Sequence, residues 1–80
     1  MSIISLDKMA IGQHGEVAQL AGDGQVCGRL LEMGLTPGVA LEVVRFAPMG
    51  DPIEIKIRGY HLSLRRQEAQ VVQVLIKKKV

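Results

Sequence analysis

Three side chains of this 80-residue chain could coordinate a transition metal: His14, Cys27 and His61. Imidazole nitrogens and thiolate sulfurs are ligands that zinc and iron sites commonly use. Zinc sites usually draw paired ligands from short spacings, whereas these three residues lie 13 and 34 positions apart. The simpler interpretation makes Cys27 a small buried hydrophobe on a helix and places the histidines on the surface or in turns. We therefore predict no metal site and keep the three residues as candidates for test.

The second feature that could bind a ligand is the net positive charge, which is confined to the C-terminal end. Residues 1–64 hold five basic and seven acidic residues, whereas residues 65–80 hold five basic residues and one acidic residue. A basic tail can contact nucleic acid. The body, however, is slightly acidic, and only Phe46 and Tyr60 are aromatic, so the chain lacks a stacking platform for bases. We expect no nucleic-acid binding, and the lysines at 77–79 are typical of charges that prevent edge pairing.

Catalytic motifs are missing from the sequence. It contains neither the Gly-x-x-x-x-Gly-Lys-Ser/Thr pattern of a P-loop nor the Gly-x-Ser-x-Gly pattern of a nucleophile elbow. The carboxylates are scattered along the chain and form no acid–base pair. We predict that the protein is not an enzyme and that it requires no cofactor.

Several features of the sequence indicate the compartment and the domain organisation. The single cysteine cannot form an internal disulfide, and residues 1–8 lack a signal-peptide pattern because an acidic residue follows a very short apolar run. No apolar run approaches the roughly 18 residues that a membrane span requires. We expect a cytoplasmic protein with no membrane span, folded as one domain over residues 1–80 with a short basic tail at 77–80.

The predicted secondary structure is organised around residues 30–38. This segment is predicted to contain the end of a helix, a glycine that terminates the helix (the glycine stop) and a turn that leads into a strand. Gly34 stands where a helix often ends in the left-handed region, which glycine enters without a Cβ penalty. Pro37 and Gly38 then occupy the second and third positions of a predicted type II turn. The helix must therefore pack almost immediately against the strand that follows.

Hydrophobic periodicity predicts the remaining elements. Residues 53–58 alternate isoleucines with charged residues, the pattern of a half-buried antiparallel strand, and Gly59 forms a tight hairpin turn. The predicted elements are strands at 16–20, 39–47, 53–58, 60–64 and 71–76, a helix at 25–33 capped by Asp23, and a helical turn at 65–69. Five short strands and one short α-helix indicate a mainly β fold, a small SH3-like barrel.

Three ordered motifs, at residues 29–38, 45–52 and 62–69, closely resemble the FeoA family, whose members are small cytosolic partners of the bacterial ferrous iron transporter FeoB. The resemblance covers roughly residues 5–76. The same fold occurs as the C-terminal domain of iron-dependent repressors. Two features depart from the family pattern: Cys27-Gly28, where bulkier residues are expected, and the lysine tail.

The resemblance implies an SH3-like barrel with an accessory role in ferrous iron uptake, through contact with the cytoplasmic portion of FeoB, which carries a GTP-binding domain. The alternative is a metal-responsive or nucleic-acid-associated module, and weak self-association stays open.

The partner-binding candidates are Arg29, Met33, Leu35, Arg65 and Arg66. Leu35 follows the glycine stop, where an exposed leucine beside Met33 would form a small apolar patch of the kind that often marks interfaces. Alternatively, Leu35 packs against the helix as the contact that accompanies a glycine cap. In that case the interface is to be sought in the loop at 47–52.

Overall fold

The computed structural model describes residues 2–77, which form six strands, two α-helices and one turn of 3₁₀ helix. The strands are β1 (Ile3–Ser5), β2 (His14–Leu20), β3 (Ala40–Phe46), β4 (Ile53–Ile57), β5 (Tyr60–Leu64) and β6 (Val72–Ile76). The α-helices are α1 (Gly24–Glu32) and α2 (Arg66–Ala69), and the 3₁₀ turn covers Leu6–Lys8. The predicted basic tail begins with Lys77, and residues 78–80 lie outside the described residues.

All strand pairs are antiparallel and belong to one sheet with the order β1-β6-β2-β3-β4-β5. The prediction of a mainly β fold is confirmed, with six strands instead of five and with α2 as a second short helix. Within residues 2–77 no ladder joins β1 to β5, so the predicted barrel is an unclosed sheet. Register shifts in β2 after Val17 and in β3 after Val43 are the bulges expected where a sheet bends.

The core contains the apolar face of each strand. Ile53, Ile55 and Ile57 of β4 are buried, as the alternating pattern predicts. The hairpin after them turns through Arg58 and Gly59, whose φ values of 46° and 82° are both positive, as in the two-residue turns that match strand twist. This confirms the tight turn predicted at Gly59.

Helix α1 begins and ends with regular caps. The Asp23 carboxylate accepts a hydrogen bond of 2.9 Å from the amide of Val26, which satisfies one of the unpaired donors at the helix start. At the other end Gly34 has φ +103°, and its amide donates to the carbonyl of Leu31 at 3.0 Å. The predicted left-handed glycine stop is confirmed.

The position of Leu35 decides between the two interpretations that the sequence left open. Its amide donates to the carbonyl of Leu30 at 3.1 Å, the second hydrogen bond of a Schellman cap, and this bond folds the chain back over the helix. Leu35 is fully buried in the same core cluster as Leu30. Of the two interpretations of Leu35, the exposed apolar patch is excluded, and the core contact that accompanies the glycine cap is confirmed.

The turn after the cap positions β3. Gly38 has φ +92°, and the Val39 amide donates to the Thr36 carbonyl at 3.1 Å, as expected for the predicted type II turn. The Gly38 amide also donates to the Val17 carbonyl at 2.7 Å, which attaches the turn to β2. Neither helix within the described residues is long and apolar enough to cross a membrane.

Candidate functional site

The two histidines lie on one row of the sheet but far from each other. The register pairs His14 with Glu42, Glu42 with Lys56, and Lys56 with His61, so the row crosses four neighbouring strands. Adjacent strands are about 4.8 Å apart, which separates the two histidines by roughly 14 Å. Each imidazole instead faces a carboxylate: His14 Nε2 lies 3.9 Å from Glu42, and His61 Nδ1 lies 3.0 Å from Glu54.

Cys27 lies on α1, and its thiol donates to the carbonyl of Gly22 at 3.3 Å. Its side chain is half-buried. The structure therefore does not bring Cys27 and the two histidines together. Over residues 2–77 no group of three or more His, Cys, Asp or Glu side chains is arranged to hold a metal ion.

A cleft of about 570 Å³ lies between α1 and α2. Its walls are Gln25, Val26, Arg29, Arg65, Gln67, Glu68 and Val71. The two valines pack against the core and supply the apolar part of the cleft. The volume falls within the range of small-ligand sites.

The charges in the cleft are arranged around Glu68, whose side chain is only 11% exposed. One of its carboxylate oxygens accepts the backbone amide of Arg65 at 2.9 Å, and the other pairs with the Arg29 guanidinium. Both oxygens are therefore engaged within the protein. Because α2 is short, this carboxylate fixes its first turn and links it to α1 at the same time.

Two arginines, Arg29 and Arg65, line the cleft that holds this single carboxylate. The Arg29 side chain is 64% exposed and carries five N–H donors, only some of which can reach Glu68. Arg65 lines the same cleft and forms no ion pair within residues 2–77. The cleft thus keeps a positive charge beside an apolar wall. Such an arrangement can bind a carboxylate-bearing segment through paired N–H donors.

The remaining partner-binding candidates lie elsewhere. The Arg66 guanidinium donates to the carbonyl of Gly50 at 3.1 Å, and its backbone amide donates to the Asp51 carboxylate at 3.0 Å. Met33 is half-buried and its carbonyl accepts a hydrogen bond from Tyr60. The structure therefore brings together only Arg29 and Arg65 of the five candidates.

Glu68 is the residue that sequence reasoning missed. Its position three residues after Arg65 was a usable signal, because a glutamate at the third helical position often accepts the amide of the N-cap residue. Its burial and its pairing with Arg29, 39 residues away, depend on the fold.

Comparisons with known proteins identify the family of this chain. A family model described as the FeoA domain matches residues 4–75. A curated Fe(2+) transport protein A/Fe(2+) transporter FeoB fusion protein of Porphyromonas gingivalis is 35% identical over 69 residues. The alignment covers 86% of this chain, but the chain spans only 8% of that relative's length.

Solved structures show the same fold. The FeoA-like protein of Clostridium acetobutylicum has a TM-score of 0.90 at 31% identity, with coverage of 100% of this chain and 93% of that chain. The FeoA of Stenotrophomonas maltophilia, solved with zinc and described as a prokaryotic SH3 domain protein, has a TM-score of 0.76 at 23% identity. That alignment covers 89% of this chain and 88% of the other. These comparisons confirm the resemblance and the SH3-like class.

Proposed function

The chain belongs to the FeoA family, and from that premise we propose that it is a non-catalytic accessory protein of ferrous iron uptake. In this proposal it acts in the cytoplasm by contact with the GTP-binding portion of an FeoB-type transporter. The fusion relative supports the pairing, because one chain carries both names. A fused pair of domains is held at a high effective concentration, which favours a functional contact between them.

The observation that carries the choice of surface is the cleft between α1 and α2. Arg29 and Arg65 both line it, and the buried Glu68 balances only one of the two positive charges. We propose that a segment of the transporter bearing carboxylates binds there. Control of the transporter's GTP-binding domain would further require this protein to bind one nucleotide state more tightly than the other.

Binding of the purified cytosolic portion of the cognate transporter, measured at low and moderate salt, tests the proposal. Arg65→Gln is the principal variant because Arg65 forms no ion pair within residues 2–77. Loss of a charge-assisted hydrogen bond should weaken binding about tenfold to a hundredfold, with a smaller salt dependence than the wild type shows. Lys56→Gln is the matched control, since it removes one exposed positive charge from the outer face of β4.

Binding by the wild type tests the accessory role, and comparison of the variants tests whether the cleft makes the contact. A folded wild-type protein that does not bind the transporter portion in the GTP-analogue, GDP or nucleotide-free state contradicts the accessory role. If the wild type binds and Arg65→Gln weakens binding no more than Lys56→Gln does, the contact lies outside the cleft.

A further inference from the structure

Met49 is an apolar side chain held almost entirely in solvent. It is 91% exposed, compared with 62% for Ile11 and 58% for Ile3, the next most exposed of the large hydrophobic side chains described. It stands at the tip of the loop between β3 and β4, residues 47–52, which we call the Met49 loop. A methionine side chain is adaptable in shape and is often used at binding surfaces.

Hydrogen bonds within the Met49 loop hold its backbone in one shape. The Ala47 amide donates to the Pro52 carbonyl at 3.0 Å, and the Gly50 amide donates to the Ala47 carbonyl at 2.7 Å. Gly50 has φ +81°, a conformation that a residue with a Cβ rarely adopts. The tip is therefore a defined turn.

Helix α2 holds the same loop from outside. The Arg66 guanidinium donates to the Gly50 carbonyl, and the Arg66 amide donates to the carboxylate of the next residue, Asp51. Arg66 thus positions the residues that directly follow Met49. Because the backbone at the tip is already ordered, burial of the methionine against a partner would cost little backbone entropy, and the remaining conformational cost is that of its own side-chain rotamers.

The Met49 loop is also connected to the cleft. Arg66, which holds the loop, directly follows Arg65, which lines the cleft, so both features include residues at the start of α2. We infer that Met49 is the apolar anchor of the same partner contact and inserts into an apolar pocket of the transporter's cytosolic portion. This inference rests on the proposed function, and it adds the chemistry of a second contact point.

The structure favours a different protein as the occupant over a second copy of this chain. Of two clefts in residues 2–77, one lies between the helices and the other lies over β2, β3 and β4 beside the turn at Gly59. Both are open and have charged side chains among their walls, so neither offers a closed apolar pocket for a methionine. A lipid surface is also disfavoured, because even a whole myristoyl chain gives only marginal membrane binding and Met49 supplies far less apolar area. A protein pocket with carboxylates at its rim matches both Met49 and the neighbouring arginines.

The test titrates this protein, labelled with ¹³C at its methionine methyl groups, with the cytosolic portion of the cognate transporter. The Met49 methyl signal is expected to shift or broaden on binding. The signal of Met9, which is 3% exposed in the core, is expected to stay in place and serves as the internal control. Affinities of the variants are measured in parallel.

Met49→Ser is expected to weaken binding about tenfold to a hundredfold, the loss that corresponds to burial of one large apolar side chain. Met49→Leu should retain most of the affinity, and Ile11→Ser, the matched control at another exposed apolar side chain, should leave it unchanged. If the wild type binds while Met49→Ser binds equally well and the Met49 signal does not move, this inference is overturned and the accessory role stands. If the wild type does not bind, both fail.

Discussion

The hydroxyl of Tyr60, the first residue of β5, donates a hydrogen bond of 2.9 Å to the carbonyl oxygen of Met33, the C-cap residue of α1. The bond satisfies one of the carbonyls that a helix leaves unpaired at its end. It also joins the β4–β5 hairpin to the helix stop that directs the chain into β3. The backbone around Gly34 is therefore constrained both by the positive φ of Gly34 and by the hydrogen bond from the Tyr60 side chain.

Gly34→Val should lower the free energy of unfolding by about 2–3 kcal/mol, because a β-branched residue is strained at positive φ. An added Cβ would also lie 2.9 Å from the Tyr60 hydroxyl oxygen and 3.4 Å from Ile57 Cδ1. Urea unfolding followed by circular dichroism measures the effect. An unchanged unfolding midpoint would show that residue 34 tolerates a side chain and that the cap geometry is different.

Gly28→Ala should have the opposite effect. Gly28 lies inside α1, and an added Cβ would meet no atom within 4 Å apart from neighbouring residues of its own helix. Alanine restricts the unfolded chain and favours helix, so we expect stabilisation of about 0.5–1 kcal/mol. The same urea titration checks this gain, and a measured loss would reveal a contact of α1 at this position.

The elements that could be predicted from the sequence are those whose pattern is local. Strand β4 was recognisable because Ile53, Ile55 and Ile57 alternate with charged residues, and the helix end was recognisable from Gly34. Strand β1 was missed because three residues are too few to show a period. It is defined by its pairing with β6, for example Ile3 with Leu75, far along the chain.

The candidate site was only partly predictable, for the same reason. Arg29 and Arg65 could be chosen as exposed cations, but their convergence on one cleft depends on the long-range contact of Arg29 with Glu68. The burial of Leu35 depends on whether the chain closes a second hydrogen bond after the glycine stop. Residue type does not determine that closure.

Calorimetric titration with Fe²⁺ and Zn²⁺ should show no tight stoichiometric binding to the wild type, and the Cys27→Ser and His61→Ala variants should behave in the same way. The Cys27 thiol is bonded to the Gly22 carbonyl, and His14 and His61 belong to distant positions of one sheet row, so these side chains cannot share an ion in this fold. A site of micromolar or tighter affinity that disappears in Cys27→Ser would contradict this expectation. It would also revive the metal-responsive alternative.

The exposed ion pair of Arg45 with Glu54 is the reference against which the stability contribution of the Arg29–Glu68 pair in the cleft can be compared. Arg45 is 65% exposed and lies 3.5 Å from Glu54, which is 27% exposed and also contacts His61. Arg45→Gln should therefore change the free energy of unfolding by less than about 1 kcal/mol, because the carboxylate keeps another partner and access to water.

Arg29→Gln should cost more, about 1–3 kcal/mol, because it leaves the nearly buried Glu68 carboxylate without its cation. Glu68→Gln should cost less than Arg29→Gln, since the amide oxygen can still accept the Arg65 amide and the exposed Arg29 guanidinium can turn to water. Urea unfolding of both variants and of the double variant gives the coupling between the two side chains. If Glu68→Gln proves the more damaging change, the asymmetry in burial does not control the pair, and the Glu68 charge must stabilise α2 chiefly through the Arg65 amide.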